Sequence, residues 1–289
     1  MKKKVIWIGG LVLVLVLVTV LVRYFSGNNS TSTASQKEEV TTLRVAHTQS
    51  YAPYDFINEQ GESDGYEVQV LKAIDEKLEQ YQFEFIGTSD EDLLVGLESG
   101  KYDIGVKGAW YTAERAEKFL IPETAIGASI IGFTVRTADA ATYKTIDDFA
   151  TAGAKLVPIS PQNAQYNVIQ AYNEEHPDSP IALTAAETFT VADAYAWVLE
   201  GRYDGYFDIK LSFEKAVLAE DGAYHQYAEE LSWFPYRGIE TYPLIHRNQQ
   251  NEELVAAYET AIKELEEEGV LAKLSETYFG ENVFDYVTD

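Results

Sequence analysis

Arg115 ends the phrase Thr112-Ala113-Glu114-Arg115, at the start of a predicted helix that follows a strand. A guanidinium at such a place offers a planar fork able to make two parallel, charge-assisted hydrogen bonds. In its own stretch of sequence it equally balances Glu114 and Glu117 on a helix surface. Asp208 ends the predicted strand 203–207 and stands before Ile209-Lys210-Leu211, where an acid can also serve as a helix cap. Other chemistries are poorly supported. The run Gly96-Leu97-Glu98-Ser99-Gly100-Lys101 is one residue short of a phosphate-loop spacing and reads as a helix end. His47, His176, His225 and His246 are far apart and lack metal-ligand spacing. No side chain stands out as a proton-transfer acid or base, and no cofactor or metal is expected.

Composition narrows the classes further. The chain has 289 residues, a net charge of −25 and no cysteine. A hydrophobic share of 46% excludes a disordered chain. The missing cysteines exclude a disulfide scaffold, a thiol nucleophile and a lipid-modified cysteine anchor. The acidic balance argues against nucleic acid, whose phosphates need a basic surface.

The elements that must hold Arg115 and Asp208 follow from periodicity. Leu43-Arg44-Val45-Ala46 reads as a strand, and Val68, Leu71, Ile74 and Leu78 mark an amphipathic helix. Phe83-Glu84-Phe85-Ile86 alternates like a strand, Ser89 opens a helix over 93–98, and 102–106 is a further strand. Strands alternating with helices predict crossovers and a largely parallel sheet. The phrase Leu97-Glu98-Ser99-Gly100-Lys101-Tyr102-Asp103 is echoed by Leu199-Glu200-Gly201-Arg202-Tyr203-Asp204, which predicts two similar α/β lobes. Chain crossings near 136–142 and 241–245 would make a two-segment hinge, with ligand between the lobes. The expected organisation is lobe 1 over 41–135 and 241–289, and lobe 2 over 136–240.

Lys2, Lys3 and Lys4 precede the uncharged stretch 5–22, about 27 Å long as a helix against a bilayer core of roughly 30 Å. Residues 1–24 are read as a membrane anchor or a signal segment, with an uncleaved transmembrane anchor favoured and secretion the outcome if it is cleaved, and 25–40 as a flexible tether. The rest is placed outside the cell by the positive-inside tendency.

The order of these phrases resembles the bacterial extracellular solute-binding proteins of family 3. The likeness runs from Tyr51-Ala52-Pro53-Tyr54-Asp55-Phe56 through Gly65-Tyr66-Glu67-Val68, then Gly100-Lys101-Tyr102-Asp103 with Thr112-Ala113-Glu114-Arg115. It ends at Leu271-Ala272-Lys273-Leu274 and Tyr278-Phe279-Gly280, so it covers roughly 41–282. The resemblance implies a two-lobed periplasmic-binding-protein-like (type II) α/β fold that serves an ABC permease without being an enzyme. It implies that Arg115 takes the ligand's α-carboxylate, that Asp208 takes its α-amino group, and that Tyr51 packs on its side chain. A zwitterion enclosed between lobes loses its water, so each charge needs a partner.

The chain departs from the family pattern in three places. Trp110 stands where a small hydroxyl residue is usual, Asp90 stands near a usual aromatic, and Ser160-Pro161-Gln162-Asn163-Ala164 replaces a glycine-containing turn. Trp110 could stack on a cationic group, and Asp90 could be a second acid for a basic ligand or simply an acid at a helix N-terminus. Gly108 and Asn163 complete the candidate ligand set. The expected protein is a tethered cell-surface receptor, on a Gram-positive architecture, that delivers an amino acid or amine-containing solute to an ABC importer. A ligand-binding sensor and a dehydratase-like enzyme on the same fold are the alternatives.

Overall fold

The computed structural model describes residues 40–161, 163–185 and 189–288. The proposed anchor and nearly all of its tether lie outside these residues. Among the described residues no helix is long and apolar enough to cross a membrane.

The first stretch runs β1 (Thr41–Thr48), a small meander of β2 (Ser50–Tyr51), β3 (Asp55–Ile57) and β4 (Ser63–Asp64), then α1 (Tyr66–Lys77). It continues through β5 (Tyr81–Thr88), α2 (Asp90–Glu98), β6 (Ile104–Val106), α3 (Ala113–Lys118), β7 (Phe119–Leu120) and the long β8 (Gly127–Arg136). The middle stretch holds α4 (Ile146–Thr151), α5 (Ala164–Glu175), α6 (Val191–Leu199), β9 (Gly205–Ile209) and α7 (Lys210–Phe213), which runs on as a π-turn over Glu214–Leu218. After β10 (Leu231–Thr241) the chain returns as β11 (Leu244–His246), α8 (Gln249–Glu267) and α9 (Val270–Phe279).

Two sheets result. The larger has the order β5-β1-β6-β11-β7, with β5, β1 and β6 parallel and β11 antiparallel to both neighbours. Its core gathers Val45, Tyr66, Ile74 and Ile104 with Ile245, Leu254 and Tyr258 from the returning chain. The second sheet, β10-β8-β9, is wholly antiparallel. Ile131, Phe133, Phe149, Ile169 and Phe207 pack around it. The expectation of a largely parallel sheet is therefore corrected. It holds for three strands of the first lobe and fails in the second, because β8 and β10 pair along most of their length instead of being joined by a crossover.

Local chemistry explains most element ends. Ser89 caps α2 by accepting from Asp92 N, and Thr145 and Thr190 form full capping boxes with Asp148 and Asp193. The echoed phrases do the same work twice. Gly100 and Gly201 both adopt left-handed backbone, at φ 74° and 71°, and end their helices. The following aspartates then tie the lobe together. Asp103 accepts from Arg44 N and Nε, at 2.8 and 3.1 Å, while Asp204 accepts from Lys155 N at 2.8 Å and Arg136 Nη2 at 3.1 Å. Predicted bounds shift slightly. The helix expected over 93–98 begins at Asp90, and the strand expected over 203–207 is β9, so Asp208 lies within the strand.

Candidate functional site

The meander after β1 places two stacked tyrosines. Tyr51 and Tyr54 lie with ring centroids 5.0 Å apart and planes at 14°. Tyr54 is buried and donates its hydroxyl toward Ala128 O and Ser129 Oγ, at 3.2 and 3.1 Å, which fixes the meander to β8. Tyr51 borders a cleft of about 520 Å³ whose other walls include Thr48, Thr88, Ser89, Asp90 and Lys107. Apart from Tyr51, the side chains on these walls end in hydroxyl, amide, carboxylate or ammonium groups.

Behind that surface lie two fully enclosed carboxyls. Asp55 accepts from Thr48 N at 2.8 Å and from the Thr48 hydroxyl, while its Oδ2 has no hydrogen-bond partner among the described residues. Glu67, in the first turn of α1, accepts from Gly108 N at 2.9 Å. Burial raises both: Asp55, which also feels the Glu67 charge, to about 8, and Glu67 to about 7. Each carboxyl thereby fixes one wall of the cleft, Asp55 through Thr48 and Glu67 through Gly108.

Gly108 has φ 63°, and a Cβ there would stand 2.8 Å from Tyr51 Cε1. Gly108→Ala is expected to lose about 1–2 kcal/mol of stability and to push the Tyr51 ring away from its place. Denaturant unfolding together with ligand titration would check both effects.

Arg115 lies in the short helix α3, capped by Thr112, whose hydroxyl accepts from Arg115 N at 3.2 Å. Its Nη1 donates to Trp110 O at 2.6 Å, and among the described residues its side chain makes no other hydrogen bond and no ion pair. Partial burial lowers its affinity for its proton, and the nearby charges of Asp90 and Glu114 oppose that. The Nε and Nη2 donors of this half-buried guanidinium have no protein partner among the described residues.

In the second lobe Asp208 is buried in β9. Its Oδ1 accepts from Gln165 Nε2 at 3.0 Å and Ile209 N at 2.8 Å, and its Oδ2 from Tyr206 Oη at 2.7 Å. Three donors hold this carboxylate, and no cation is paired with it among the described residues. Its charge reaches across to Tyr51: the Tyr51 hydroxyl is pushed well up by burial, then by Glu67, Asp208 and Asp55. Lys215, in the π-turn, also crosses, with Nζ 5.6 Å from the Tyr51 ring centroid.

The remaining candidates divide. Asp90 is exposed on the cleft and forms an ion pair with Lys107, so it is not a free acid awaiting a basic ligand. Trp110 is buried in the cluster that holds Ile131 and Phe133, and its backbone bridges to Thr241, so its ring is not an open stacking platform in this form. Asn163 caps α5 without a side-chain bond, and its backbone N donates to Ser160 O at 2.9 Å. From the same turn it is Gln165 that reaches Asp208.

Reading the sequence did not find Asp55, Glu67, Lys107, Gln165 or Lys215 as contributors. Only Glu67 carried a signal, as the acid of the Gly65-Tyr66-Glu67-Val68 phrase. It also passed over Gly61-Glu62-Ser63-Asp64-Gly65, which has the spacing of a hydrolase nucleophile turn. Ser63 lies in β4 with Oγ 2.7 Å from His47 Nε2, but that imidazole is fully buried and its other nitrogen is engaged with Thr48 O. A proton acceptor sealed in this way cannot serve a substrate.

Known proteins resemble this chain along most of its length. The family description "bacterial extracellular solute-binding proteins, family 3" matches residues 43–281. The L-cystine-binding protein TcyJ of Bacillus subtilis (strain 168) is 28% identical over 273 residues, covering 94% of each chain. The probable amino-acid-binding protein YxeM of the same organism is 28% identical over 267 residues, covering 86% of this chain and 88% of its own. Among solved structures, the probable amino-acid ABC transporter extracellular-binding protein ytmK of B. subtilis aligns with TM-score 0.64 at 23% identity, over 84% of this chain and 99% of that one. The L-cystine solute receptor of Neisseria gonorrhoeae, in its unliganded open conformation, aligns with TM-score 0.59 at 22% identity, over 87% and 97%.

Proposed function

Because the chain belongs to the bacterial extracellular solute-binding proteins of family 3, we propose that it captures an amino acid between its lobes and delivers it to an ABC importer. The observation that supports this reading is that two opposite charges, one in each lobe, have no ionic partner among the described residues. The first lobe presents the Arg115 fork with unmatched donors, and the second presents the Asp208 carboxylate held by Tyr206, Gln165 and Ile209. An α-carboxylate suits the first, because a planar guanidinium can meet both of its oxygens. An ammonium suits the second, because its charge is the one missing beside Asp208. A ligand that engages both joins the lobes, and the closed form is what a permease would read. No covalent step is needed.

On this reading the stretch 5–22 tethers the receptor at the cell surface, with the lysines before it on the cytoplasmic side. The relatives named for L-cystine and amino acids support an amino-acid cargo. The test is isothermal titration of the full chain against a panel of L-amino acids and amines. Saturable heat with at least one α-amino acid, and none with its decarboxylated amine, is the expected outcome. Silence from a folded sample across the panel would remove the reading.

A further inference from the structure

Lys215 is a cation that the Arg115–Asp208 scheme leaves unused. It sits in the second lobe on the segment that follows β9, so the same stretch of chain carries it and Asp208. Its ammonium hangs over the first-lobe ring of Tyr51, 5.6 Å from the centroid, at the edge of the cleft. A contact with an aromatic face supplies only part of what a cation loses on leaving water.

Neighbouring lysines have their anions. Lys210 is held by Glu214 and Glu281, and Lys107 by Asp90. Lys215 has no carboxylate within ion-pair reach among the described residues. The Asp55 charge reaches Lys215 only at longer range, and that carboxyl is sealed beneath the surface with its proton held to high pH. The Lys215 side chain is exposed in this form, and lobe closure onto a solute would dehydrate its ammonium. The side chains beside Tyr51 carry hydroxyl, amide, carboxylate and ammonium groups, which can meet a polar solute.

We infer that Lys215 is a specificity-determining residue that receives a second anionic group of the solute, so that the preferred ligand is an amino acid bearing a second carboxylate. This inference rests on the amino-acid reading above. Arg115 and Asp208 take the α-carboxylate and α-ammonium, and Lys215 closes from the opposite lobe onto the distal carboxylate, with the Tyr51 ring beneath the chain between them.

The test is titration of the full chain, wild type and Lys215→Gln, with two matched pairs: L-glutamate against L-glutamine, and L-cystine against S-methyl-L-cysteine. In the wild type, at least one two-carboxylate ligand is expected to bind more tightly than its one-carboxylate partner. In Lys215→Gln that ratio should fall at least tenfold, and Lys215→Arg should restore most of it. The variants are surface-exposed changes, and circular dichroism would confirm their folding. An equal loss for both members of each pair would make Lys215 a closure contact only and overturn the inference. So would wild-type preference for the one-carboxylate ligands. Absence of binding to all four and to every other amino acid overturns the proposed function, and this inference falls with it.

Discussion

Arg115→Ala is expected to weaken amino-acid binding by about 2–5 kcal/mol, roughly thirtyfold to a few thousandfold. The size follows from where the guanidinium stands. It is half-buried in α3, one nitrogen is committed to Trp110 O, and the other donors are free for a carboxylate. When the lobes close, removing the fork leaves the ligand carboxylate dehydrated without a partner, a loss larger than that of an exposed ion pair. Arg115→Lys retains the charge but not the two parallel bonds, and should lie between wild type and alanine. The Trp110 contact is lost as well, so unfolding by denaturant should be measured beside titration. A fall in stability near ~1 kcal/mol, with a much larger fall in affinity, separates the two roles. Unchanged affinity would place Arg115 outside the site.

The second large effect concerns pH. In an unfolded chain aspartate and glutamate titrate near pH ~4. In the folded chain burial holds protons on Asp55 and Glu67 to much higher pH, about 8 and about 7. Between these limits the folded state binds more protons than the unfolded one, so stability falls as pH rises. The contribution is fully present below the unfolded values and is lost as pH climbs through about 7 to 8. For one such carboxyl the loss accumulates at about 1.4 kcal/mol per pH unit between the unfolded and the folded value.

Asp55→Asn keeps an acceptor for Thr48 and adds a donor beside Glu67, so it should be more stable than wild type at about pH 8.5 and much flatter from roughly pH 6.5 to 9. The chain's net charge of −25 also destabilises it at high pH, but salt screens that repulsion and leaves the enclosed pair little affected. His47, fully buried and held below its ordinary pKa chiefly by desolvation, acts in the opposite sense. Its contribution is lost as pH falls through that depressed value, which lies below the interval in which Asp55 and Glu67 titrate. Equal slopes for wild type and Asp55→Asn at high salt would show that the pair is not the source.

Because Asp55 and Glu67 orient Thr48 and Gly108, ligand affinity should weaken over the same interval. Two hydrogen bonds, Thr48 N to Asp55 and Gly108 N to Glu67, couple the protonation of the pair to the binding surface.

What could be read from the residues alone was what short-range chemistry dictates. Ser89, Thr145 and Thr190 announce helix starts, Gly100 and Gly201 announce helix ends, and both strands that follow the echoed phrase form. The antiparallel second sheet was not legible, because β8 and β10 are far apart in the chain and nothing in either names its partner. The same limit applies inside the site. Arg115 and Asp208 stand at element ends and draw notice. The ion pair of Asp90 with Lys107, the bond from Gln165 to Asp208 and the approach of Lys215 to Tyr51 exist only after the chain folds. A tryptophan beside a binding phrase invites a stacking role, and only the fold shows that Trp110 is buried in the apolar cluster that holds Ile131 and Phe133.

The most direct measurement is a structure of the chain with a bound amino acid. The account predicts the ligand's α-carboxylate within about 3 Å of the Arg115 guanidinium and its ammonium within about 3 Å of the Asp208 carboxylate. A ligand seated in the cleft that touches neither group, with both still engaged only by protein, would contradict it.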